Sequence, residues 1–145
     1  MRLKRALSSL AAATTISVAG IVGLSASPAA AAAADFNYDR PSVGDLDATI
    51  DAWKDSRMLG SVTWQADPGS GGTKGDTLCV RDNWSDGRYI VGTTGEGHTA
   101  STKGHSSSYT KCVTVNVPEG MPMMMRMTIH GSDGTVQSSP FEIKG

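Results

Sequence analysis

Between residues 123 and 130 the chain alternates two kinds of side chain. Met123, Met125, Met127 and Ile129 occupy the odd positions; Met124, Arg126, Thr128 and His130 occupy the even ones. A period of two marks a strand with one face in a core and the other in water, because successive side chains leave the pleat on opposite sides. Similar short runs recur at 61–66, with Val62 and Trp64, at 77–82, 88–93 and 109–117, and at 135–143, which Pro140 interrupts. A weaker run falls at 98–102. Gly-, Pro- and Asp-rich breaks separate them, and Asp86-Gly87 and Asp133-Gly134 are hairpin signals, since Gly accepts positive φ without steric cost. Six or seven strands at this spacing predict an all-β fold, a small antiparallel β-sandwich, with an open β-barrel as the alternative. The 17 glycines point the same way, away from a helical bundle.

Residues 1–34 have the layout of an export signal. Arg2, Lys4 and Arg5 precede an apolar stretch at 6–24, and alanines fill 29–34, where a signal peptidase needs small residues. Cleavage is expected after Ala34. The rival reading is an uncleaved anchor, but a spanning helix needs about 20 apolar residues, and Thr14, Thr15, Ser17 and Gly20 dilute this stretch. With no second apolar run, no membrane association is expected after cleavage, and the protein is expected to be secreted. Removing those three basic residues from 13 leaves ten against 14 acidic ones, a net of −4. That balance excludes a nucleic-acid binder of the basic-patch type.

In an oxidising space Cys79 and Cys112 are expected to pair. In its strand Cys79 points away from Leu78 and Val80, and Cys112 points away from Tyr109, Val113, Val115 and Val117. The bridge is therefore predicted on the outer face of one sheet, between neighbouring strands.

The segment 35–58 differs from the rest. Six aspartates face only Arg40, Lys54 and Arg57, and the apolar residues are few: Phe36, Tyr38, Val43, Leu46, Ile50 and Trp53. Leu46, Ile50 and Trp53 suit an amphipathic helix, whereas the alternation of Leu46, Ala48, Ile50 and Ala52 suits a strand. Both conformations stay open. The segment either packs onto a domain at 59–145 or acts as an acidic N-terminal arm that orders on a partner, with Phe36, Tyr38, Ile50 and Trp53 as anchors.

The chemistry-bearing residues form no recognisable catalytic set. No serine lies in Gly-x-Ser-x-Gly, two of the three histidines (His98, His105, His130) fall in the loosest loop, and the only glutamates are Glu96, Glu119 and Glu142. No enzyme activity, cofactor or metal is expected. Asp82, Asn83, Asp86 and Gly87 read as a hairpin turn rather than a calcium loop, which lacks its remaining ligands. The methionines at 121, 123, 124, 125 and 127 read as core packing, with Cu(I) ligation or an adaptable protein-binding surface as alternatives. Trp84, at a turn, either folds back on the sheet or contacts a partner. The expected activity is the binding of a secreted protein through 35–58 and Trp84. The alternative is a carbohydrate or cell-wall module using Trp64, Trp84 and Tyr89.

The stretch GDTLCVRDNWSDGRYIVG, the Gly/Ser/Thr loop after it, the Cys-bearing strand and VPEGMPMMMRM together resemble small secreted one-domain β proteins of streptomycetes and related actinobacteria. Their pattern falls here on Asp82, Asp86-Gly87, Pro118-Glu119-Gly120 and Arg126, over about 75–145. One group of similar build is the adaptor subunit of umbrella toxin particles, in which a β-domain with an N-terminal strap links a lectin-like subunit to a large toxin protein. The resemblance implies a protein-binding adaptor whose strap is 35–58, and it supplies no catalytic residue.

Overall fold

The computed structural model describes residues 34–39, 47–66 and 75–145. Residues 1–33 of the export segment, Val43, Leu46 and the Gly-rich loop at 67–72 lie outside the described residues. The strands are β1 (Asp35–Asp39), β2 (Ala48–Lys54), β3 (Arg57–Gln65), β4 (Thr77–Asp82), β5 (Tyr89–Thr94), β6 (Thr99–Ser101), β7 (Tyr109–Thr114), β8 (Pro122–Gly131), β9 (Gly134–Gln137) and β10 (Phe141–Lys144). One antiparallel sheet has the order β1-β2-β3-β4-β7, and the second has β10-β8-β5-β6 with β9 also on β8. The two sheets form a β-sandwich, with no closed barrel.

The methionine alternation holds. Met123, Met125, Met127 and Ile129 are buried and Met124 is exposed, so the pleat sends the thioethers to opposite sides of the sheet. Opposite them in the first sheet lie Ile50, Val62, Trp64, Leu78 and Val80, all fully buried. The sheets meet so closely at Gly92 that a Cβ there would come within 2.7 and 2.8 Å of the Val62 and Val80 methyls. The Trp64 Nε1–H donates to the Lys144 carbonyl at 2.7 Å, tying β3 to β10. Pro140 breaks the last strand into β9 and β10, and Ser138 covers the break. Its N–H donates to the Met127 carbonyl, and its Oγ accepts from the Met127 N–H at 3.0 Å.

Cys79 and Cys112 stand directly opposite each other on β4 and β7, with Cα atoms 4.1 Å apart, and are joined. The bridge lies on the outer face, as the register of both strands requires. Closing 33 residues of sequence separation, it stabilises the fold by about 3–4 kcal/mol in the chain-entropy picture.

Three sequence expectations need correction. The acidic segment is not an arm: β1, β2 and the start of β3 are strands of the first sheet, and a boundary between 58 and 59 falls inside β3. Strand alternation prevails over the helical spacing because Ala48, Ile50 and Ala52 all enter the core, while Thr49 and Asp51 face outward. The strand number rises to ten among the described residues, through β1, β2 and the division of the last strand. Finally, Asp86-Gly87 does not close a hairpin, because β4 and β5 belong to different sheets. The chain there crosses the sandwich. Asp133 does lie in a two-residue hairpin, with Gly131 opposite Gly134.

Asp51 is an outward residue with a cost. Its Oδ1 is enclosed without a hydrogen-bond partner among the described residues. Burial first, and then the charge of Asp39, push its carboxyl above the ordinary value. The native state therefore favours the protonated acid. That contribution to stability is full below the unfolded carboxylate range and is lost as pH rises through the raised native value. Asp51→Asn is expected to raise the unfolding temperature at pH 7. The gain should shrink as pH falls through the raised native value and be gone below about 4, where the unmodified side chain is neutral in both states. Thermal melts at several pH values check this.

Candidate binding site

Four connections meet at one end of the sandwich: the β2–β3 turn, the β4–β5 crossing, the β6–β7 segment and the β8–β9 turn. The β2–β3 turn contains no glycine. Asp55 and Ser56 take φ of 50° and 62°, a conformation that Asp tolerates better than most residues. The turn sets Lys54 opposite Arg57. A register shift at Ala52/Trp53 leaves Leu59 as an extra residue on β3, and Leu59 packs against the core.

The β4–β5 crossing is fastened to this turn. The Asn83 N–H donates to the Leu59 carbonyl at 3.0 Å, and the Trp84 Nε1–H donates to the Met58 carbonyl at 2.7 Å. The Arg57 guanidinium carbon lies 5.1 Å from the centre of the Trp84 ring, within cation–π range. Asp82 Oδ1 accepts the Trp84 backbone N–H at 3.1 Å. Asp82 is buried, and burial pushes its carboxyl upward. The Trp84 hydrogen bond acts in the opposite direction, and the charge of Asp86 adds to the rise. Held at both ends of its side chain and backbone, Trp84 nevertheless stays 42% exposed.

Arg88 organises the neighbouring wall. It pairs with Asp86 at 2.9 Å and with Asp133, and its hydrogen bond holds the Asp133 carboxyl below the usual range. Trp84 and Arg88 are shared by two open depressions of about 240 Å³ each. Lys54, Asp55, Arg57, Leu59 and Asp86 line the first. Asp82, Ser85, Gly87, His105, Ser106 and Ser107 line the second, which is more polar. His105 stacks on Tyr109 with ring centres 3.8 Å apart, and Ser85 Oγ meets Ser107 Oγ at 2.7 Å. On the adjoining face Tyr89 stacks on His130 at 4.7 Å, with the Lys103 ammonium 5.5 Å from the Tyr89 ring. Among the described residues no three His, Cys, Asp or Glu side chains converge on a point that could hold a metal ion.

The other residues expected to bind a partner are placed differently. Ile50 is fully buried in the core, so it cannot serve as an anchor. Phe36 packs against the core. Tyr38 rests on Phe141 with ring centres 5.3 Å apart, and its hydroxyl accepts the Ser139 N–H at 2.9 Å. That side chain closes the gap between the edges of the two sheets. Trp53 is half-buried opposite Met58, and its Nε1 is enclosed without a hydrogen-bond partner among the described residues. Trp64, a candidate sugar platform, is fully buried. Trp84 alone of these sits at a surface depression with charged neighbours. Lys54, Arg57 and Arg88 were not singled out from the sequence, and Asp86 only as part of a turn, although Lys54 and Arg57 straddle the two residues that make the β2–β3 turn.

Comparison of the chain with family models, with curated proteins and with solved structures gives no match.

Proposed function

We propose that this chain is a secreted, non-catalytic module that binds another protein through the Trp84 end of the sandwich. The observation that carries this reading is the exposed indole of Trp84. It is held by the Met58 carbonyl and the Arg57 guanidinium at the wall shared by two depressions. Tryptophan and arginine dominate the energetics of protein interfaces, and a side chain fixed before binding loses little entropy on docking. Secretion is supported by the cationic-then-apolar leader and by the disulfide, and no helix among the described residues is long and apolar enough to cross a membrane. A role as adaptor in a secreted toxin complex is the form of this reading that the resemblance implies. It no longer needs a strap, since Phe36, Tyr38 and Ile50 are used within the sandwich.

The test is capture of a partner from culture medium by the tagged protein and by Trp84→Ala. Truncation of a central anchor costs about 2 kcal/mol or more, roughly thirty-fold in affinity. Capture should therefore disappear with Trp84→Ala while cooperative unfolding persists. Undiminished capture by the variant would refute the assignment. A second reading, glycan binding, is favoured by the polar depression beside the ring, with Asp82, Ser85 and His105. Polysaccharide-induced quenching of tryptophan fluorescence that vanishes in Trp84→Ala would replace the protein partner with a sugar.

A further inference from the structure

Three large apolar side chains are exposed among the described residues: Tyr38, Trp84 and Met124. Tyr38 is accounted for by Phe141 and Ser139, and Trp84 by the site described above. Met124 remains. Its neighbours on β8, Met123, Met125 and Met127, are at most 4% exposed, whereas Met124 is 49% exposed. The pleat thus sets one thioether apart from three that share its chemistry. Met124 lines an open groove of about 360 Å³ with Gly95, Glu96, Pro122, Met123 and Glu142. Gly95 keeps one flank of it bare: beyond the chain neighbours, a Cβ at that position would meet only the Met124 backbone, at 3.5 and 3.8 Å. The main chain of Met124 is fixed from both sides. It stands opposite Glu142 on β10, and its carbonyl accepts the Gly95 N–H at 2.7 Å.

We propose that Met124 is an oxidation site of the folded protein: a hydroperoxide converts its thioether to the sulfoxide, and the fold tolerates the product. The sulfur lone pair attacks the terminal oxygen of the peroxide. The O–O bond breaks and an S–O bond forms. The proton on the transferred oxygen passes to the leaving oxygen, which departs as water or an alcohol. Sulfur gives up two electrons and the peroxide accepts them. The change turns a flexible apolar side chain into a polar one, which in a core breaks the packing. At Met124 the new oxygen stands in the groove and in water, and the backbone bonds on either side hold β8 in place. The groove then presents a hydrogen-bond acceptor where it presented a thioether. Met123, Met125 and Met127 lie between the sheets and react only when the sandwich opens. Met58 and Met121, half-buried, rank between the two classes. The inference is independent of the reading of Trp84.

Dilute hydrogen peroxide on the purified protein tests this, with fragment-ion mass spectrometry to locate each added oxygen. The first oxygen is expected on Met124, at least about tenfold faster than on Met123, Met125 or Met127, whose reaction waits for opening. The singly oxidised protein should keep a cooperative thermal transition close to the parent's. Met124→Leu should lose the fast phase. Gly95→Val, at a position whose φ lies outside the left-handed region, covers the bare flank and should at least halve the rate at Met124. First oxidation at any other methionine of the described residues, equal rates along β8, or loss of the cooperative transition in the singly oxidised protein overturns the assignment. So does a Met124→Leu protein that takes up oxygen as fast as the parent. An unchanged rate in Gly95→Val overturns the groove as the route to the sulfur.

Discussion

A chain that lacks residues 35–58 is expected not to fold. β2 pairs with β3 over seven positions and brings Ala48, Ile50 and Ala52 into the core at 0–1% exposure. Burying a side chain such as Ile50 contributes about 1.5–3 kcal/mol by itself, and a whole domain retains only about 5–15 kcal/mol. The deletion also uncovers one face of Trp64 and Val62. It leaves the β3 amides and carbonyls that paired with β2 without partners. Circular dichroism and thermal melting should show no cooperative transition. Deleting 35–39 alone should be milder. It removes the cover supplied by Phe36 and Tyr38 but keeps β2, so a cooperative transition should survive at lower temperature. A cooperative unfolding transition like the parent's in the longer deletion would make the segment an arm after all.

The second large effect belongs to Trp64. It is fully buried, and its Nε1–H supplies a hydrogen bond that joins the first sheet to the last strand of the second. Trp64→Ala is expected to cost about 3–5 kcal/mol from the cavity it opens, with a further loss because the Lys144 carbonyl gives up its donor. Trp64→Phe separates the two contributions, since it keeps most of the packing and removes the N–H. It should cost about 1–3 kcal/mol, the penalty of a part-buried acceptor left unsatisfied. Denaturant unfolding reads both as a lower midpoint at unchanged slope. A Trp64→Ala midpoint close to that of the parent would mean that the sheets are not packed around this ring.

Much of the fold is legible because its signals are local. β4 spans Thr77–Asp82 as its composition suggests, and β8 keeps the alternation that Met123 to His130 spell out. The cysteine register follows from the same rule. β1 and β2 are hidden because their charged residues are many and their inward residues small. Ala48 and Ala52 are weak hydrophobic signals, yet both are fully buried. The β2–β3 turn is hidden because Asp55 and Ser56 adopt positive φ without a glycine to announce it. Asp86-Gly87 misleads for a different reason. Gly87 has φ of 77° and Asp86 Oδ1 accepts the Arg88 N–H at 3.0 Å, so the turn is real. A local turn does not specify which sheet the next strand joins.

The Trp84 end was half legible. Trp84 stands out in the sequence because a large ring at a turn is unusual. Its neighbours do not, because Arg57 is brought to it by the pairing of β3 with β4, a non-local event. The pairing of β1 with β2 and of β2 with β3 explains why Phe36, Tyr38 and Ile50, which look like free anchors on an acidic segment, are consumed within the sandwich.

Amide hydrogen exchange on the protein, alone and with its captured partner bound, tests the central claim most directly. The Trp84 end is predicted to gain protection at 54–57, 83–88 and 102–108, with 35–39 unchanged. Protection confined to 35–39, with 83–88 exchanging as in the free protein, would contradict it.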